Sequence, residues 1–290
     1  MPKSLDPTMS SPDPPTEIEQ LMSRGDMIKK FKELEALAIL ESENDQGSDL
    51  SQSTKEATDE RGFLIYDTFL SNQIYFDDLK HVNYPGISYT YPPNMFRSKE
   101  EVMLHISQDK SLGKGGILWD AAFILSEYVL FKNLLTPSSS IIELGAGCGL
   151  VGALMNKLGL PCLTTDLESH VPLMTTNFKQ NGLSSENVQV MEWGVHDDDH
   201  LSKYDFVLGA DIVASLYDPE LLAETIHRII KPTGRGYISF KGREEQYHVR
   251  FEKRMKKLFE SWEIAAATET GSRNKNEGVG VLCFERKKPL

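Results

Sequence analysis

Ile141-Ile142-Glu143-Leu144-Gly145-Ala146-Gly147-Cys148-Gly149-Leu150-Val151-Gly152 carries an apolar run of strand length into three alternate glycines and then into a helical stretch. Glycine reaches left-handed backbone conformations without a Cβ penalty, so such a turn bends sharply and brings backbone N–H groups close to a ligand. The dinucleotide fingerprint GxGxxG requires glycine at position 150. Leu150 stands there, and the third glycine is Gly149. A GxGxG turn behind the acidic Glu143 points instead to S-adenosylmethionine as the ligand.

Outward from this turn the chain keeps a regular rhythm. Apolar runs at 140–144, 162–165, 188–191, 204–208 and 236–240 alternate with helical stretches near 149–159, 168–181, 218–231 and 245–261. That alternation specifies βαβ units, hence an α/β fold with a mostly parallel sheet and helices on both faces. Two later runs, 263–268 and 279–286, have no helix between them and close the sheet as an antiparallel edge. The second run of the series ends in Asp166, 21 residues after Gly145. A carboxylate there accepts hydrogen bonds from both hydroxyls of a ribose, in nicotinamide and S-adenosylmethionine sites alike. Trp193 follows the third run, where it is placed to stack on an adenine ring.

Upstream the organisation differs. Residues 1–15 are proline-rich and read as disordered, and 17–42 carry helical spacing broken at Gly25, with Asp26 as a cap. Residues 43–60 are polar and aperiodic, a linker. Short runs at 63–66, 73–76 and 87–91, split by prolines, suggest a small β cap. The expected organisation is an acidic arm over 1–60, a cap over 61–112 and a catalytic domain over 113–290.

Composition narrows the function. The 290 residues are 40% hydrophobic, enough for one large domain with a core. No apolar run reaches membrane-spanning length and the N-terminus has no apolar signal core, so a cytoplasmic protein with a nuclear share left open is expected. The 3 cysteines are far apart, which suits a reducing compartment and neither a zinc site nor a disulfide framework. The net charge is −12, of which −8 lies in residues 1–60, and this argues against nucleic acid as the ligand. The basic stretch from Arg250 to Lys257 interleaves with Phe251 and Met255 at helical spacing and reads as the solvated face of an amphipathic helix.

Gly116-Ile117-Leu118-Trp119-Asp120-Ala121-Ala122-Phe123-Ile124-Leu125-Ser126 resembles the GxxxWxAAxxL segment that precedes the glycine turn in methyltransferase family 16. With the glycine turn, Asp166, Trp193-Gly194 and Gly209-Ala210-Asp211, the resemblance covers residues 113–286. The family comprises seven-strand, Rossmann-like protein-lysine methyltransferases of chaperones and translation elongation factors, with the valosin-containing-protein branch nearest in the tryptophan segment. The resemblance implies a protein substrate and cofactor contacts from Trp119, Gly145, Ala146, Gly147, Asp166, Trp193 and Ala210. Glu143 and Gly149 join that set through the turn itself.

The sequence departs from the family after the fourth run. There the family has an acidic residue followed three places on by Tyr or Phe, whereas Asp211 is followed by Ala214, and the nearest aromatic is Tyr217. Either Tyr217 takes that role from a longer loop, or the acceptor is arginine, histidine or a small molecule, or the chain is a scaffold without turnover. The candidate catalytic residues are Asp211, to orient an amine, and Tyr217, to hold it by a cation–π contact. No metal is called for, since the histidines show no ligand spacing and the acidic loop 197–199 reads as a solvated turn. Cys148 lies near a helix N-terminus, which would lower its pKa, but it is read as a small residue kept there for packing against the cofactor. A monomer is expected, as there is no heptad seam.

Overall fold

The computed structural model describes residues 58–67, 80–93, 98–195, 198–214, 217–241, 245–266 and 278–286. The expected arm helices over 17–42, most of the linker and the run at 73–76 lie outside the described residues.

A small sheet comes first: β1 (Leu64–Ile65) runs parallel to β2 (Gly86–Tyr91), which pairs antiparallel with β3 (Val102–Ser107). A 3-10 turn (Lys110–Gly116) leads into helix α1 (Asp120–Phe131). The sheet is pinned to α1 by aromatic side chains with polar tips. Tyr66 stacks on Phe123 at 4.1 Å between ring centroids and donates its hydroxyl to Asp120 over 2.8 Å. Tyr89 donates to Glu127, and the Tyr91 hydroxyl bonds Ser126. Each ring buries a large apolar body while its oxygen keeps a partner, so the burial costs no unmade hydrogen bond.

The main sheet then alternates as the sequence rhythm requires: β4 (Ile141–Glu143), α2 (Leu150–Lys157), β5 (Cys162–Asp166), α3 (Val171–Gln180), β6 (Val188–Val190), β7 (Tyr204–Ala210), α4 (Pro219–Ile229), β8 (Ile230–Lys241), α5 (Glu245–Leu258), β9 (Phe259–Ala266) and β10 (Val279–Arg286). The strand order is β6-β5-β4-β7-β8-β10-β9, seven strands, with β10 antiparallel to both of its neighbours. Apolar residues of α1, α2 and α3 and of the small sheet form one core cluster, and those of α4 and α5 form another on the opposite face. Chain order reverses between β4 and β7, which opens a crevice at their C-terminal ends.

Several boundaries differ from the sequence expectation. Strand β8 begins at Ile230, inside the stretch expected to be helical to 231. Ile230 pairs with Tyr204 and Arg235 with Phe206, so the intervening Lys-Pro-Thr-Gly segment bulges out of register, and a strand interrupted that way reads as a turn. Helix α5 stops at Leu258 and β9 starts at Phe259, with no glycine or proline to mark the change. Helix α1 carries no polar face: ten of its residues are buried, which erases amphipathic periodicity. Strand β3 was signalled by the alternation of buried Leu104 and Ile106 with exposed Met103 and was not expected.

Strand β3 is an outer strand of the small sheet, and α3 completes its edge with side-chain amides. Asn181 Oδ1 accepts from the His105 backbone N–H and Asn177 Oδ1 from that of Ser107, while the Asn181 amide donates to the His105 carbonyl. Asn177 also donates to the Cys148 carbonyl, so one amide ties the small sheet to the glycine turn. These bonds do the work of a neighbouring strand.

Candidate functional site

The glycine turn is built from its own chain and from the strand beside it. Gly145, Gly147 and Gly149 all have positive φ, at 59°, 56° and 80°, and Gly149 is the N-cap of α2. A Cβ at Gly145 would stand 2.8 Å from Ile212 and 3.1 Å from the Trp193 ring, and one at Gly147 would stand 2.6 Å from the Gly115 carbonyl. The turn therefore excludes side chains on conformational and steric grounds together. Asp166 Oδ2 accepts from the Gly147 N–H over 2.7 Å and Oδ1 from that of Leu167 over 2.7 Å. Both oxygens keep further acceptor capacity. Ala146 donates to the Thr165 carbonyl over 3.0 Å.

Beside the turn lies an open crevice of about 570 Å³ counting its mouth. Of the residues expected to bind cofactor or act in catalysis, Gly145, Asp166, Trp193 and Tyr217 line it together. Trp193 and Tyr217 meet edge to face, their ring centroids 5.1 Å apart. Burial raises the Tyr217 hydroxyl above its usual pKa, and the charges of Asp166 and Asp211 add to this.

Other expected residues sit elsewhere. Glu143 is buried behind the turn, where its Oε2 accepts from the Gly152 N–H over 2.7 Å. It shapes the turn and does not line the crevice. Burial pushes its carboxyl up to about 8. Trp119 donates its indole N–H to the Lys114 carbonyl over 2.9 Å and bounds the 3-10 turn whose Gly115 faces Gly147. Ala210 ends β7, and Asp211 follows with φ of 55°, its N–H on the Ser239 carbonyl and its Oδ1 accepting from Lys241 N–H over 3.3 Å. A non-glycine residue in the left-handed region directly after a parallel strand marks a position held by its surroundings.

The thiol expectation is corrected. Cys148 is 1% exposed, and burial raises its pKa well above the usual thiol range, outweighing the helix N-terminus. Sequence reasoning also missed Leu167, Met191, Glu192, Asp218 and Leu221 as crevice residues. Leu167, Met191 and Glu192 directly follow strand C-termini, a placement legible from the runs themselves; nothing local marked Leu221.

The crevice fits an adenosyl sulfonium better than a dinucleotide. Its charged lining residues are the carboxylates Asp166, Glu192 and Asp218, with no cationic side chain among those described. Such walls repel a pyrophosphate and attract a cation. Residues 98–258 match the model of a family described as lysine methyltransferase. The chain belongs to that family. This lysine methyltransferase is 32% identical over 178 residues to EEF1A lysine methyltransferase 3 of Xenopus tropicalis, covering 61% of the chain and 77% of the relative. It is 36% identical over 130 residues to protein N-lysine methyltransferase METTL21A of Xenopus tropicalis, 43% of the chain and 60% of the relative, and 38% identical over 116 residues to that of Danio rerio. It spans 53% of the latter's length, under two thirds in both METTL21A proteins. As a lysine methyltransferase it uses S-adenosylmethionine as methyl donor and a protein as substrate. Among the described residues no helix is long and apolar enough to cross a membrane.

Proposed function

We propose that the acceptor is the ε-amine of a lysine in a partner protein of chaperone or translation-factor type, presented to the crevice at the C-terminal end of β7. The observation that carries this reading is the convergence of Gly145, Asp166, Trp193 and Tyr217 on a crevice whose charged walls are all carboxylates. Asp166, Trp193 and the glycine turn would hold the cofactor, with Glu143 and Gly149 shaping the turn. Trp119, Ala146, Gly147 and Ala210 would flank it. The bound donor supplies an activated methyl on a sulfonium, so the protein's task is alignment, worth roughly 7 to 11 kcal/mol at ideal effective molarity.

The acceptor must also lose a proton. A lysine of ordinary pKa pays about 4.6 kcal/mol for this at pH 7. Partial burial and a nearby cation both disfavour the ammonium and lower that cost. Asp211 would orient the amine, and Tyr217 would face its cationic form by a contact worth about 0.5 to 2 kcal/mol.

Catalysis is assigned to residues 113–290, with 61–112 as a cap and 1–60 as an acidic arm. The acidic chain supports a protein rather than a nucleic-acid partner, and the lack of a heptad seam in the sequence supports a monomer. The free thiols support a cytoplasmic location, with nuclear presence compatible. The test is incubation of the purified chain with radiolabelled S-adenosylmethionine and cell lysate, followed by mass spectrometry of the labelled residue. Labelled lysine is the expected result; label on another residue only, or none, refutes it. Ala214, where the family carries an aromatic, specifically favours the second reading, an acceptor other than lysine.

A further inference from the structure

His170 lies four residues after Asp166 and directly precedes α3. Its Nδ1 is 3.6 Å from Asp166 Oδ1 and 3.1 Å from Ser169 Oγ, and the two side chains of the His170–Asp166 pair are only 13% and 12% exposed. The other ring nitrogen, Nε2, is out of contact with solvent and has no hydrogen-bond partner among the described residues. The ring is wedged under the 3-10 turn, where a Cβ on Gly115 would come within 2.4 Å of Nε2. The Gly115 carbonyl in turn covers Gly147, which donates its N–H to Asp166.

One imidazole thus touches the Asp166 carboxylate and the turn that roofs the glycine loop. A helix N-cap function does not explain it, because the His170 side chain makes no capping bond to α3. Burying a polar ring nitrogen without a partner has a cost, and the gain that offsets it lies in the ring's contacts. We propose that His170 is a positioning residue for the cofactor site, fixing the distance between the Asp166 carboxylate and the 110–116 turn. The ring is a spacer: flat enough to pass under Gly115, polar enough to stand beside a carboxylate. The proposal rests on the crevice at Asp166 being the S-adenosylmethionine site.

The test is calorimetric titration of the full chain with S-adenosylmethionine, with a thermal melt for each protein. Wild type, His170→Ala, His170→Asn, Gly115→Ala and the Gly115→Ala/His170→Ala double variant are compared. His170→Ala is expected to weaken binding roughly tenfold as the carboxylate and the 110–116 turn lose their spacer. Asparagine is a favoured N-cap residue, so His170→Asn should keep the melting temperature while still binding more weakly than wild type. Gly115→Ala should lose affinity in the wild-type background and lose less when His170 is already alanine, because the three atoms nearest its added methyl all belong to the imidazole. Wild-type affinity in His170→Asn, or an equal effect of Gly115→Ala in both backgrounds, overturns the proposal. A wild-type chain that binds no S-adenosylmethionine overturns instead the reading of the crevice on which it stands.

Discussion

The backbone N–H of Gly152 donates to Glu143 Oε2 over 2.7 Å, so the last residue of β4 holds the first turn of α2 across the glycine bend. Burial raises this carboxyl to about 8 from an ordinary 4.5. A carboxyl that binds its proton more tightly when folded contributes stability that is complete below pH 4.5 and is lost as the pH rises towards 8. Glu143→Gln removes that dependence. Urea denaturation of both proteins between pH 4.5 and 9 should show wild type losing stability relative to the variant up to about pH 8 and holding level beyond it. Parallel curves would contradict the burial argument.

Asp166→Asn keeps an acceptor for one backbone N–H but removes the charge that faces the crevice. Hydrogen bonds to charged groups are worth about 1.5 to 3 kcal/mol, so the dissociation constant for S-adenosylmethionine should rise roughly 10- to 100-fold. Calorimetric titration measures it directly, and an unchanged constant refutes the ribose assignment.

Asp211→Ala should leave that dissociation constant intact and lower the rate of methyl transfer by about 100-fold or more, the usual worth of a positioned proton-handling or orienting side chain. Single-turnover assays at saturating cofactor separate the two effects. Normal transfer removes Asp211 from the chemistry.

Asn181→Leu strips the His105 backbone N–H of its partner at the β3 edge and leaves the His105 carbonyl with the Gln180 amide alone. Leaving a buried backbone group unpaired costs about 1 to 3 kcal/mol, so the denaturation midpoint should fall clearly while cofactor affinity in the folded protein changes little. A midpoint equal to wild type would mean that water replaces the amide fully.

The parallel sheet was legible because its strands and helices obey two distinct periodicities, and the glycine turn because its chemistry is local. Asp166 follows from its place at the end of the second run, 21 residues after Gly145, where a ribose-binding carboxylate belongs. Glu143 misled because an acidic residue beside a glycine turn looks the same in sequence whether it faces the ligand or the helix behind. Cys148 misled because a helix N-terminus is visible in sequence and burial is not. The 3-10 turn against Gly147, and His170 beneath it, are joined only by tertiary packing, which no local pattern encodes. The largely buried α1 lost its periodicity for the same reason that it packs well: both of its faces have neighbours.

The amides that close the β3 edge belong to residues 70 to 76 positions further along the chain. During synthesis the small sheet must therefore wait, with one row of peptide groups open, until α3 has left the ribosome. In that interval the nascent chain offers a template for mispairing. Substitutions that slow the docking of α3 should reduce soluble yield even where the finished enzyme is as stable as before.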